Sequence, residues 1–416
     1  MKSRTIRSLS FLSVFALVFA ISCSKKEEEP PPPSNPGGGT GEEGTTPIVY
    51  ENDINTAVVF TNHKDGVDYE ICGNIVISAK LEIEEGVEIL MCEGASITFN
   101  ENGVLKAIGT ASNPITIKGK ESRKGFWDYI SIASDSANLM EYVNISDGGN
   151  NYKTNDPNTK ASVFILGSSN KFGQLGIKNS KVSNGSGTGI IVEEGGLLST
   201  FNNNTITSVS GAPIQLPFSA VGALDEASSY DGATEKYIDV TESSTISALT
   251  IKKLEVPYLI NGRNWIYNHT RINAGVDIIM GENARLLVDK YASLNAVGTA
   301  NDPITINGKK DEAGYWDLIR FESDDARNQL KFVEIRNGGG YGQYDYATIY
   351  VKGDAGIEIT DCDISNSYQW ALFAEAGANL NPAEKADIEN QNNFSGNGSG
   401  VNATCNQRDC NVYIEP

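Results

Sequence analysis

The feature that most constrains this 416-residue chain is a sentence written twice. "GTASNPITIKGK" (109–120) returns 189 residues later as "GTANDPITINGK" (298–309), identical at nine of twelve positions. The correspondence is much wider than the motif. The same offset carries Tyr69 to Tyr258, Gly73 to Gly262, Ile83 to Ile272, Gly86 to Gly275, Pro114 to Pro303 and Trp127 to Trp316. One inserted residue then shifts it to 190, pairing "YVNISDGG" (142–149) with "FVEIRNGG" (332–339). Later it falls to 182, so that "KVSNGSGTGIIVEEGG" (181–196) answers "DISNSYQWALFAEAGA" (363–378). An internal duplication of this length means an architecture built from repeated supersecondary units.

Within each copy the local pattern is short strands. Runs such as "LEIEEGVEILM", "ASITF" and "LMEYVNIS" alternate apolar and polar residues, and no stretch sustains a 3.6-residue apolar period. Gly, Asn, Asp and Ser turns separate them, for example "NENG", "NGSGTG" and "NNNT". Strands recurring every eight to twelve residues or so fit a sandwich, a barrel, a propeller or a β-helix. The asparagines favour the last. "NSKVSNGSGTGIIV", "NNNTITSVSGAPIQL" and "NNFSGNGSGV" place a short apolar strand after Asn, then a glycine turn, then another strand. Stacked coils bring identical positions together, so turn asparagines can bond up a ladder while Ile and Val fill the interior.

These segments resemble the repeats of right-handed parallel β-helix proteins. "GTASNPITIKG", "GFWDYISI" and "LMEYVNIS" together resemble β-helix proteins of bacterial surfaces, those of the Bacteroidetes in particular, and "YIDV…STISALTIKKLEVPYLI" (237–260) is similar to the segment that starts a new block there. The expected fold is all-β: a right-handed parallel β-helix solenoid of two duplicated blocks, 48–235 and 236–416, continuous with each other, after a disordered tether. Ile115 and Ile117 should point inward, with Ile304 and Ile306 doing so in the second copy. Trp127 and Trp316 read as core or corner packing, with a sugar-stacking platform as the rival role.

The N-terminus reads as an address. Lys2, Arg4 and Arg7 precede an apolar run (9–21) too short to span a bilayer. The following "AISC" resembles a bacterial lipobox, which implies a signal peptide over 1–22 and acylation of Cys23. Residues 23–47 are dominated by Pro, Gly and charge, the composition of a disordered linker. Glu27, Glu28 and Glu29 resemble a Bacteroidetes surface-export tag. The expected protein is therefore anchored by lipid to the outer membrane and exposed at the cell surface. Net charge is −20, and removal of the three signal cations takes it to −23, a field that repels phosphate and excludes nucleic acid as a partner. A monomer is expected.

Six cysteines fit an oxidising compartment. Cys72 and Cys92 lie twenty residues apart, about one coil, and their counterparts Asn261 and Gly281 lack sulfur together, which argues for a disulfide. Cys405 and Cys410 read as a C-terminal staple. Cys362, opposite Ser180, is left over as a small buried residue. A zinc site is the rival reading, but CxxC spacing is missing and only His63 and His269 are present, so no metal ligands are assigned.

Catalysis has little to stand on. Extracellular β-helices include polysaccharide lyases and glycoside hydrolases, which need a placed base or paired carboxylates. Asp128 and Asp317 follow the duplicated tryptophans, and a residue kept in both copies reads as serving the shared fold; no catalytic residue is assigned. Asp135, Asp324 and Asp325 are weak candidates for Ca²⁺, with solvated turns as the competing reading; no cofactor is expected. The second copy departs most at "NGGGYGQYDYATIY" (337–350), where the first has "DGGNNYKTNDPNTKASVFI". Tyr341, Tyr344, Asp345 and Tyr346, extended by Tyr368 and Trp370, have the composition of a glycan- or protein-contact patch; the competing reading is a clasp of tyrosines holding the loop to the solenoid. The reading is a surface-anchored, non-catalytic binding or adhesion protein with a polysaccharide or neighbouring surface glycan as ligand, the alternative being a lyase or hydrolase of extracellular polysaccharide.

Overall fold

The computed structural model describes residues 46–416 apart from 64–65, 153–158, 168–171, 345, 401–404 and 406–409. The expectations for 1–45, among them the signal peptide, the linker and Cys23, lie outside the described residues, as does Asp345.

The chain winds as a right-handed parallel β-helix. Each coil lays down three short strands, and every named strand pair between coils is parallel. In the first block the three faces begin with Ile48–Tyr50, Asn74–Ile77 and Val58–Phe60. Interior positions stack like on like: Ile75, Ile97, Ile130, Val163, Ile190 and Ile214 follow one another in register, and all are buried. β-branched side chains dominate because their restricted rotamers fill a pleated interior at small entropic loss. Ile115, Ile117, Ile304 and Ile306 point into this core.

The two blocks are joined one face out of phase. A thirteen-stranded sheet runs through both, but it is built from different strands of the repeat. Tyr69–Ile71 lies on the first face of block one, in a seven-stranded sheet, whereas its duplicate Tyr258–Ile260 lies in the thirteen-stranded sheet that holds the second-face strand Asn74–Ile77. The junction makes the shift. After Ile214–Pro217 a 3-10 segment, Phe218–Ala223, and a loop bridged at Ser229 to Thr205 complete one turn, and Ile238–Thr241 then pairs beside Ile214–Pro217. The first-type strand of block two thus lands on the second face.

Corners explain the asparagines. The expected side-chain ladder exists between Asn203 and Asn179 (2.8 Å), but most buried asparagines serve the backbone instead. Asn204 accepts from Ser180 N and donates to Ile177 O; Asn392 does the same for Cys362 N and Ile359 O. Where strands stop, amides and carbonyls lose their ladder partners and need others. Asn179 and Asn203 also hold φ of 50° and 53°, a left-handed conformation that Asn tolerates better than most.

Trp127 and Trp316 are fully buried corner residues, each donating its indole N–H to a carbonyl at 2.7 Å (Ser146 and Arg336). A methyl at Gly148 or Gly338 would meet the indole at 2.8–2.9 Å, which accounts for the repeated "GG". Two disulfides are formed, Cys72–Cys92 and Cys405–Cys410. Cys362 is buried and reproduces the role of Ser180: its thiol points to Thr360 O (3.3 Å) as the Ser180 hydroxyl does to Lys178 O (2.7 Å). Burial pushes the Cys362 thiol up to about 12. Among the described residues no helix is long and apolar enough to cross a membrane.

Candidate functional site

The outward side of one sheet of block two carries a ladder of large side chains. Strand register aligns Trp265, Leu287, Arg320, Tyr350, Phe373 and Tyr413 on six successive rungs. At about 4.8 Å per rung the row is roughly 24 Å long. The same row in block one reads Val76, Thr98, Ser131, Phe164, Ile191 and Gln215, with a single aromatic. Inward neighbours are mostly aliphatic in both copies, with Phe99, Phe321 and Asn264 as exceptions, and on the outer side Leu287, Arg320, Tyr350 and Phe373 are themselves buried among their neighbours.

The ring contacts are nearly continuous. Trp265 stacks on Tyr267 (5.5 Å, 1° between planes), and Arg320 reaches back across Leu287 to lie 5.2 Å from the Trp265 ring. Tyr350 stacks on Phe373 (5.3 Å, 1°), and Phe373 and Trp370 both meet Tyr413, at 4.9 and 5.1 Å. Tyr267 and Tyr413 are exposed, Trp265 and Trp370 half-buried. Carboxylates and cations edge the row: Glu322 pairs with Arg320 and Lys352, and Glu375 accepts from Tyr350 Oη (2.6 Å).

The tyrosine loop lies against this row and divides the residues singled out in the sequence. Tyr344 packs edge-on to Tyr350 (4.8 Å), accepts a hydrogen bond from Arg320, and is 4.9 Å from that guanidinium. Tyr341 lies under Arg285 (3.7 Å), which also pairs with Asp317. Both are half-buried, so they hold the loop down while contributing to the row. Trp370 lies beside the row, its ring meeting Tyr413. Tyr346 and Tyr368 pair with each other (4.8 Å) apart from it, and the Tyr368 ring sits between Gly314 and Gly400, where added methyls would collide with it.

Trp265, Tyr267, Tyr350, Phe373, Tyr413 and Arg320 were not among the residues the sequence marked. Their signal was present as register: Trp265, Arg320 and Phe373 duplicate the small or aliphatic Val76, Ser131 and Ile191 of copy one, whereas Tyr350 duplicates Phe164. Tyr413 joins the row only through the pairing of Val412–Ile414 beside Trp370–Ala374, across a long intervening loop.

The other candidates have structural partners. Asp128 receives the amides of Asn150 (3.1 Å) and Asn151 (3.2 Å), and its carbonyl accepts from Gly149 N. Asp317 binds Arg285, and its carbonyl accepts from Gly339 N; burial nonetheless holds its carboxyl above the ordinary range. Both therefore anchor the loop that follows the tryptophan. Asp325 is held by Arg327 at 2.8 and 2.6 Å, and that guanidinium lowers its carboxyl to about 2, so a Ca²⁺ ion would have to compete with a fixed cation. Among the described residues one cluster has metal-like spacing, Glu70 with Cys72 and Cys92, but its sulfurs are joined in the disulfide. Comparison with known proteins gave no matching family model, no matching curated protein and no matching solved structure.

Proposed function

We propose that this chain is a surface-anchored lipoprotein of the Bacteroidetes type that binds a glycan along the aromatic row of its second block. The observation that carries the reading is the row itself: four rings on six rungs of one sheet, Tyr350 and Phe373 buried within it, and Trp265, Tyr267, Trp370 and Tyr413 presenting ring surface toward its two ends. Aromatic faces bury the apolar C–H surface of a sugar, while ring hydroxyls and bordering carboxylates take its polar edge. A polysaccharide lying along the row would meet exposed ring surface toward its two ends, where Tyr267 and Tyr413 reach solvent. Contacts of about 1 kcal/mol each make single-site binding weak, and a lipid anchor offsets this by presenting many copies on one surface.

The test is an array of neutral and acidic polysaccharides probed with the full chain, followed by titration calorimetry on the strongest ligand. Trp265→Ala with Trp370→Ala should cost about 2 kcal/mol of binding, roughly thirtyfold, with the melting temperature changed by only a few degrees. Undiminished binding by the double variant overturns the assignment to this row. New reducing ends in the same mixtures would replace binding by cleavage.

A further inference from the structure

The third face of block two carries a recess of about 330 Å³, separate from the aromatic row. Thr250, Arg271 and Asn295 follow one another in register along its floor, and His269 and Ser293 form the adjacent pair, Nδ1 lying 3.0 Å from Oγ. Arg327 closes one side.

Comparison with block one shows what is unusual. There the positions of His269, Arg271 and Asn295 are held by Lys80, Glu82 and Lys106. Both lysines pair with Glu82, which draws its carboxyl down, so the charges are matched within the protein. In block two the central acid has become arginine and both lysines have gone. Arg271 is exposed and has no ion-pair partner among the described residues.

The single-residue insertion falls at this recess. Ser134 and Asn138 frame the turn in block one: Asn138 donates to Ser134 O and accepts from Leu105 N. Ser323 and Asn328 repeat both bonds, with Leu294 N as the donor. Three residues lie between the framing pair in one copy and four in the other. The longer turn, 324–327, supplies Arg327 together with Asp325, which binds its guanidinium. The Arg327 carbonyl also accepts from Asn295 Nδ2 at 3.3 Å. The side of the recess is therefore fixed and internally neutral, and Arg271 is left as its unmatched charge.

We propose that this recess binds an oxyanion, a carboxylate or a sulfate ester, carried on an acidic saccharide. Arg271 supplies the countercharge through a planar pair of donors that suits either group, the Thr250 hydroxyl supplies a neutral hydrogen bond, and Asn295, whose amide donates to Arg327 O and Gln329 Oε1, fixes the floor beside them. An unmatched guanidinium on a chain of net charge −20 acts at contact range, since the wider field repels anions and salt screens both effects. The site shares no residue with the aromatic row, so each reading can fail without the other.

Calorimetry of the full chain with trigalacturonate, galactose 6-sulfate, galactose and inorganic sulfate tests it. At least one acidic saccharide should bind, galactose should not, and Arg271→Glu should weaken binding by about tenfold or more. Asn295→Leu, which leaves the charge untouched, should weaken it less. Lys80→Ala, at the matching place in block one, should change nothing. Response to trigalacturonate alone assigns the carboxylate, and to galactose 6-sulfate alone the sulfate ester. Inorganic sulfate binding as tightly as both saccharides overturns the saccharide part. Absence of binding, or an Arg271→Glu variant that binds like the parent, overturns the proposal.

Discussion

Tyr344 separates a loop that is clasped from a loop that is free to contact ligand. Its ring packs against Tyr350 and Tyr341, at 4.8 and 5.6 Å, and its hydroxyl accepts from Arg320, a guanidinium with 8% exposure. Replacing it by alanine removes the aromatic pairs, worth about 0.5–1.5 kcal/mol each, and a hydrogen bond from a charged donor worth about 1.5–3. Some of this returns as water reaches Arg320, so a net loss of about 2–4 kcal/mol is expected, confined to the loop. Tyr344→Phe keeps the rings and loses only the hydrogen bond, about 1–2 kcal/mol. The assay is native-state hydrogen exchange at Gly339 and Gly340, whose amides bond to Asp317 O and Trp316 O at the loop's base. Local opening should speed exchange there by roughly thirtyfold to several hundredfold in the alanine variant. Gly149, bonded to Asp128 O in block one, is the internal control. Unchanged exchange at Gly339 and Gly340 would refute the clasp and return Tyr344 to the ligand-facing set. Global melting is a poor substitute, since stacked repeats lose cooperativity and a local loss is diluted over many coils.

Two further outcomes follow. Asp325, whose folded carboxyl lies at about 2, is stabilised by its charge above the unfolded carboxylate value near 4, and that contribution disappears as pH falls through about 2. A carboxyl NMR titration should show this low midpoint in the parent and a rise toward the ordinary value in Arg327→Ala; an unmoved midpoint removes Arg327 as the cause. Cys23→Ala should shift the protein from the membrane fraction to the soluble fraction, and a variant that still sediments with membranes ends the lipid-anchor proposal.

The architecture was legible because a solenoid writes its geometry into spacing. A separation of twenty residues sufficed to join Cys72 to Cys92, and their joint loss in copy two has a direct cause: a methyl at Gly281 would collide with the Asn261 side chain that occupies the bridge's place. The alternating Ile of "PITI" likewise faced inward as the pattern required. Site geometry was less legible because turns vary in length. The tyrosine loop drew attention by composition, yet composition does not say that Tyr344 lies down on Arg320 while Tyr368 wedges between Gly314 and Gly400. Nor does it reveal that Trp265 and Tyr413, 148 residues apart, end one row. That requires counting rungs, and the count depends on loops whose lengths differ between the copies.

The phase shift at the junction has the largest consequence for function. Had block two begun in phase, its second-face row would have continued that of block one, and the two copies could have formed one long surface. Instead the row Val76, Thr98, Ser131, Phe164, Ile191 and Gln215 runs on in the shared sheet to Asp239 and Leu259, which belong to the first-type strands of block two. The aromatic row begins on a different sheet, and its near end is Trp265, beside Ser244–Thr245 rather than any strand of block one. Equivalent positions of the two copies therefore face different directions. Selection on one row leaves its duplicate free to keep small, self-satisfied side chains such as Ser131 bonded to Thr98 (3.0 Å). The same separation holds for the recess, where Lys80, Glu82 and Lys106 remain paired while Arg271 stands unmatched. On the proposed reading, a glycan on the aromatic row would meet block two alone, over about 24 Å.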